Sequence, residues 1–424
     1  MMEIRNAIHP SQSAPPASQS GFTNSTADST SGRPRLGGIP VLVLGSSLTA
    51  IGVIRTLGRA GIPVFSVCAI PGMIARSRWY RPLAELAGTN PQPRDLTKIL
   101  SNLLLPKAVL LPCADDWAEA VAELPDRLKN RFPTSISPAH IIQMMVDKWH
   151  FAEMLQEQNI PHPRTALLHS VNEMEALPAS HFDGGFLKPL DSLAFNSRHH
   201  LKAFLIKDKA DAIATMTRVQ QKEHSEFPIL LQEYIPGPPT NHYFVDGFVD
   251  RNGVIQALFA RRRLRMFPPL LGNSTLMESV ALDQVKGAVQ SIRKMWSALP
   301  FRGIFSAEFK YDDRDGLFKI LEVNARPWWY IEFATRAGVD VCSLSYRDAL
   351  GMTVAPIGKY HVGRRCVYLP KDYKAFRNTP GNLFTWIRSW LGADGAVFAW
   401  DDPGPAFSYL GEMLKGYLPG QSKR

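Results

Sequence analysis

From Ile39 onward, short continuous apolar runs alternate with stretches of helical periodicity. IPVLVLG reads as a strand buried on both faces. A small-residue turn, Gly45-Ser46-Ser47, and a helical stripe through Ile51, Ile54 and Leu57 follow it. IPVFSV is the next strand and AVLLPC (108–113) a third, which predicts a βαβ unit opening a parallel-sheet domain. From Pro138 the pattern changes. A helix carrying Trp149, Ala152, Met154 and Leu155 stops at Asn159, and FLKPLDS and PILLQEYIPG (228–237) read as strands. YFVDGFVDRNGVIQALFARRRLR gives two strands around the turn Asp250-Arg251-Asn252-Gly253. Alternation along the second predicts that Arg263 and Arg265 share a face.

The stretch 303–328, GIFSAEFKYDDRDGLFKILEVNARPW, predicts a hairpin. Its strands run from Phe305 to Tyr311 and from Leu317 to Val323, joined by Asp312-Asp313-Arg314-Asp315-Gly316. Glu322 and Asn324 then point the same way, and an odd-numbered turn brings Glu308 opposite Ile320 or Glu322 on that face. Two carboxylates and an amide oxygen would converge beside Arg326. Such hard oxygen ligands suit Mg²⁺, which keeps its other positions for water and substrate phosphates. The competing reading is a solvated hairpin whose charges only keep it soluble.

Composition narrows the setting. The chain has 424 residues, 45% hydrophobic and 20% charged, enough for two or three globular domains. Residues 1 to 38 are rich in Ser, Pro, Thr and Gly and read as a tail outside the fold. Cys68, Cys113, Cys342 and Cys366 show no metal or CxxC spacing, which points to a reduced, cytoplasmic protein. No apolar run approaches a transmembrane span, and no secretory signal is visible. The formal charge of +10 asks for an anionic partner. The basic residues are spread along the chain without an RNP or helix-turn-helix pattern, which argues against nucleic acid. A stripe of Leu383, Trp386, Ile387 and Trp390 is expected to pack on the domain, in preference to a membrane surface near the basic Lys415, Lys423 and Arg424. Asp115 and Asp116, at the carboxyl end of the third strand, are expected to start a helix in preference to facing a ligand crevice. The first turn is not GxGxxG and no acid ends the second strand, which argues against a nicotinamide cofactor.

In chain order the chemistry-bearing residues are Asp147-Lys148, Lys188, Gln232-Glu233-Tyr234-Ile235, Arg263 and Arg265, Glu308, and Glu322-x-Asn324-x-Arg326. Together, over roughly residues 39 to 350, they resemble the ATP-grasp superfamily, the fold of D-alanine–D-alanine ligase, biotin carboxylase and carbamoyl-phosphate synthase-type domains. The segments KPLDSLAF, RRLRMFPP and EFK…LEVNARPW are most similar to carboxylate–amine ligase-like proteins related to D-aspartate ligase. The resemblance implies an α/β and α+β chain, with an N-terminal parallel-sheet domain (39–137) preceding a two-lobed ATP-grasp fold. The lobes would be 138–230 and 231–352, followed by a C-terminal extension, 353–424.

It also implies roles. Lys148 and Lys188 would contact ATP phosphates, and Glu233 and Ile235, with Gln232 alongside, would hold the adenine at a hinge. Glu308, Glu322 and Asn324 would bind Mg²⁺ or Mn²⁺. Arg326 would steady the substrate carboxylate, Arg263 a phosphate, with Arg265 second. The implied reaction is ATP-dependent joining of a small-molecule carboxylate to an amine, and a homodimer is compatible with it. The alternative is a catalytically silent ATP-binding or regulatory protein, suggested by the glycine-free loop DSLAFNSRHH after Lys188. There Ser192 or Asn196 would stand in for glycine, and Asn241 or His242 for the absent ribose-binding acid.

Overall fold

The computed structural model describes residues 38–68, 72–190, 203–222, 227–270, 272–378 and 381–417. The tail to residue 37, the loop residues Ser192 and Asn196, the side chain of Lys415, and Lys423 and Arg424 lie outside the described parts.

The first sheet is parallel. β1 (Val41–Leu44), β2 (Val64–Val67), β3 (Tyr80–Arg81) and β4 (Val109–Pro112) lie in the order β3-β2-β1-β4. Every residue of β1 and β4 is buried, because helices or neighbouring lobes cover both faces. Gly45, at φ 115°, turns the chain at the carboxyl end of β1, a conformation that a Cβ would strain. Ser47 then accepts the Thr49 N–H and starts the helix Leu48–Arg59.

The second sheet is antiparallel and small. β5 (Thr165–Leu168), β6 (Phe186–Pro189), β7 (Phe204–Leu205) and β8 (Ile229–Gln232) lie in the order β5-β8-β6-β7. Leu168, Met174, Phe182, Leu187, Met216 and Leu231 give this lobe a hydrophobic core of its own. The expected lobe boundary at 230/231 falls inside β8, and the chain leaves this sheet only after Gln232.

The third sheet has seven strands. β9 (His242–Val249), β10 (Ile255–Phe267), β11 (Asn273–Val280), β12 (Gly303–Asp312), β13 (Leu317–Asn324), β14 (Arg365–Val367) and β15 (Asp394–Gly395) lie in the order β13-β12-β9-β10-β11-β14-β15. β14 and β15 come from the segment 353–424, which therefore completes the large sheet as well as extending the chain.

Two local irregularities change what strand alternation predicts. In the hairpin, Asp312 pairs with Leu317, so the loop holds four residues, an even number. A regular ladder from that pair would set Glu308 opposite Leu321. Instead Phe309 pairs with Ile320 and Glu308 with Glu322, leaving Leu321 as the extra residue of a β-bulge. The carboxylates thus share a face because of the bulge, not the turn.

The second irregularity lies in β10, where the register on β11 shifts between Arg263 and Arg265. Arg263 donates to Ser274, while Arg265 binds Asp372, which also accepts from Thr275. Ser274 and Thr275 are adjacent on β11 and face opposite ways. Arg263 and Arg265 therefore do not share a face.

Candidate active site

A cleft runs between the small lobe and the hairpin β12–β13. It contains two adjoining cavities, the larger about 500 Å³, which share Lys188, Gln232, Leu321 and Glu322 as walls. Strand pairing explains the small-lobe wall. Lys188 sits near the end of β6 opposite Leu230, and its Nζ donates to Gln232 Oε1 at 2.8 Å. Gln232 in turn donates to Thr165 Oγ1 at 3.1 Å. Lys148 is the first residue of the helix Lys148–Glu157, whose start is fixed by Asp147 accepting the Trp149 and His150 N–H groups. Its Nζ donates to the carbonyls of Pro189 and Leu190, at 2.9 and 3.0 Å. Both lysines thus lie at the end of β6 and line the larger cavity.

After β8, Glu233 N–H donates to Arg164 O, and its carboxylate accepts from Arg164 N–H and from Arg314 of the hairpin turn. Glu233, Tyr234 and Ile235 line the smaller cavity with Lys188, Arg263, His242, Lys310, Glu308 and Glu322.

The hairpin floor carries the charge. Glu308 Oε1 accepts from Arg263 Nη2 at 2.9 Å and from His242 Nδ1 at 3.0 Å. Burial opposes its ionisation, but the Arg263 guanidinium and then His242 outweigh burial and hold its carboxyl down at about 2. Glu322 opens onto the cleft. The enclosing protein, and next the Glu308 charge, push its carboxyl upward. Lys310, beside the Tyr234 ring, is lowered to about 8 by burial and then by Arg263. Asn324 donates to Glu322 Oε1 at 3.5 Å, and its own Oδ1 accepts from Arg326 Nη2 at 2.9 Å.

This donor set fits a divalent cation. Two opposed carboxylates that repel one another are hard ligands with charge to neutralise, and Asn324, at the next same-face position, adds an amide whose oxygen is held by Arg326. Among the described residues no group of three or more His, Cys, Asp or Glu is arranged to hold a metal ion by itself. Two carboxylates are the complement of a site that shares its metal with phosphate.

No family model matches the chain. It is 22% identical over 254 residues to D-aspartate ligase of Enterococcus faecium (strain Aus0004), a match covering 57% of this chain and 58% of that protein. The chain therefore spans less than two-thirds of that curated relative. The fold is similar to the L-amino acid ligase of Bacillus licheniformis, at TM-score 0.53 and 14% identity over 74% of each chain. It is also similar to the biotin carboxylase domain of Hydrogenobacter thermophilus 2-oxoglutarate carboxylase, a dimer solved with MgADP and bicarbonate. There the TM-score is 0.57 and the identity 14%, covering 78% of this chain and 74% of that one.

The chain has the ATP-grasp fold.

Within the ATP-grasp cleft the expected residues separate into three groups. Lys188, Gln232, Glu233, Ile235, Arg263, Glu308 and Glu322 line the smaller cavity, and Lys148 and Asn324 join Lys188 on the larger. Arg326 lies next to the larger cavity. It is held by Asp115 through Nε at 2.7 Å and Nη2 at 2.8 Å, and both Asp115 and Asn324 line that cavity. Arg265 does not join the lysines: both its Nε and Nη2 are bound to the buried carboxylate of Asp372. Asn241, a candidate for the ribose, is tied to Asp313 and Tyr311 O, and His242 is turned onto Glu308.

Three cleft residues take roles other than the preferred sequence-based ones. Asp115, expected to start a helix in preference to facing a ligand crevice, does open the helix Asp115–Ala122, and it also reaches Arg326, 211 residues away. Its one available signal was its place beyond the carboxyl end of β4, where α/β folds put ligand crevices. His242 as the Glu308 partner and Lys310 as a cavity wall follow from the pairing of β9 with β12, which no local pattern reveals.

Proposed function

We propose that this chain is an ATP- and Mg²⁺-dependent ligase that activates a carboxylate as an acyl phosphate and joins it to an amine. The observation that carries the reading is the opposition of Glu308 and Glu322 in the same cleft as Lys148 and Lys188. Glu308, Glu322 and Asn324 would hold the metal, which when bound neutralises phosphate charge. Lys148 and Lys188 supply positive point charges to phosphates from the small-lobe side. Backbone groups of Glu233 and Ile235 meet the adenine edge. Arg263, buried against Glu308, fixes that carboxylate as an anion. Arg326 adds positive charge beside Asn324, where negative charge grows as the substrate carboxylate attacks the γ-phosphoryl group. Such transfer depends on positioning and electrostatics, so no protein nucleophile is needed.

Two of the similar proteins carry amino acids in their names, which supports an amino acid as one of the substrates. A silent nucleotide-binding protein is the less favoured reading, since these two similar proteins are themselves named as ligases. ADP release by the purified protein, measured across pools of amino acids and other carboxylates and amines, is the test. Turnover is expected with the wild type. Glu322→Gln is expected to lower it by about 10²–10³. Tight MgATP binding with no turnover on any pool would favour the silent protein.

A further inference from the structure

The helix Leu383–Trp390 divides its aromatic and aliphatic residues between two sides. Inward, Trp386 stacks on Phe376 at 5.1 Å and donates its indole N–H to Asp372, and Trp390 lies edge-on to Trp386. Outward, none of the helix is fully buried. Leu383 is 55% exposed, Phe384 70% and Leu391, just past its end, 64%. Leu383, Ile387 and Leu391 recur every four residues, and Phe384 precedes Arg388 by four, so these groups form one continuous face. The expected packing stripe is thus only half used.

Charge marks the surroundings of that face. Residues 373–393 contain no acid, and their three cations, Lys374, Arg377 and Arg388, are all exposed. The acids that bracket the segment are taken: Asp372 is fully buried against Arg265, and Asp394 is bound by Arg364 and Arg336. An apolar helix face that carries Arg388, in a segment without acids whose cations are all exposed, matches one kind of surface, apolar beneath and anionic at its boundary. That is the interface of an anionic lipid bilayer. There Leu and Phe enter the acyl boundary, while Lys and Arg stems extend to the headgroups. A second protein copy matches it less well, because an isologous contact would pair this acid-free segment with itself and offer its cations no carboxylate.

We propose that the outward face of the helix Leu383–Trp390, with Lys374, Arg377 and Arg388, docks this protein on anionic lipid surfaces. The proposal is independent of the ligase reading, because its test reads lipid binding and not turnover.

The test is co-sedimentation of the full chain with phosphatidylcholine vesicles, with and without about one-third phosphatidylglycerol. Binding is expected only to the anionic vesicles. It should be lost at about 0.5 M salt, where exposed charges are screened. The double substitution Phe384→Asp and Leu391→Asp is expected to weaken binding at least about tenfold, as is Lys374→Glu with Arg388→Glu. Thermal melts show whether each variant is folded, and the salt titration needs no variant. Failure of the wild type to bind overturns the proposal. So does binding that both folded variants retain. A concentration-dependent dimer abolished by Phe384→Asp, without vesicle binding, would assign the face to a second copy instead.

Discussion

Arg326 brings five N–H donors toward the cleft, and the protein itself uses four of them. Nε–H and one Nη2 hydrogen go to Asp115, the other Nη2 hydrogen to Asn324, and one Nη1 hydrogen to Pro327 O. Among the described residues a single Nη1 N–H is unused, too few for the two-point grip by which guanidinium usually holds carboxylate. Asp115 therefore decides how Arg326 acts, by fixing its plane and partly cancelling its charge. Replacing Asp115 by Asn removes the charge and one acceptor while keeping the shape. The expected result is a kcat lower by between about tenfold and a hundredfold, with KM for ATP unchanged. Steady-state kinetics measures both. A KM for the carboxylate substrate that falls instead would mean that Asp115 occupies the substrate's own place.

At the scale of elements, the hairpin shows what a sequence discloses and what it withholds. Its two strands and its Gly316 turn (φ 72°) are legible because apolar alternation and Asp/Gly clusters are local signals. The bulge at Leu321 is not, because the extra residue is accommodated by the partner strand and by the cleft that Leu321 lines. The same holds for β10, where a register shift no local pattern announces sends Arg263 to Glu308 and Arg265 to Asp372. Charged residues were thus legible as candidates, and Glu308 does face Glu322 as expected though through the bulge, while the facing of Arg263 and Arg265 was not legible. Deleting Leu321 tests this directly. It removes the extra residue and leaves Phe309 opposite Ile320 and Glu308 opposite Glu322 in a regular ladder. The carboxylates then keep their opposition, and only the cleft wall that Leu321 supplies is lost. Mg²⁺-dependent nucleotide binding, followed by calorimetry, is expected to stay within about threefold of the wild type, and a loss of about tenfold or more would show that the bulge itself shapes the metal site.

Across the whole molecule, the C-terminal segment is tied to the first domain by charge buried far from the cleft. Arg55, on the first helix, has no solvent exposure. It donates to Asp402 Oδ2 and to the Asp402 carbonyl, and pairs with Glu332 at 3.3 Å. Asp402 also accepts from Ser77 Oγ and Arg78 N–H, and next to it Arg59 grips Asp401 with two bonds. None of this was legible, because partners such as Arg55 and Asp402 lie 347 residues apart and neither sits in a recognisable pattern. A buried ion pair adds little net stability while intact, since desolvating both charges offsets their attraction. Breaking it from one side is different, because the remaining charge stays buried without its partner. Asp402→Ala leaves the Arg55 guanidinium with Glu332 alone among carboxylates and removes an acceptor from Ser77 and Arg78. The expected cost is about 3–5 kcal/mol. It should appear as an earlier thermal transition and as faster amide exchange in the helix Gly404–Tyr417, measured by hydrogen–deuterium exchange. The hairpin β12–β13 should exchange as before, since it makes none of these contacts. Loss of protection there as well would show that the cleft depends on the C-terminal anchor.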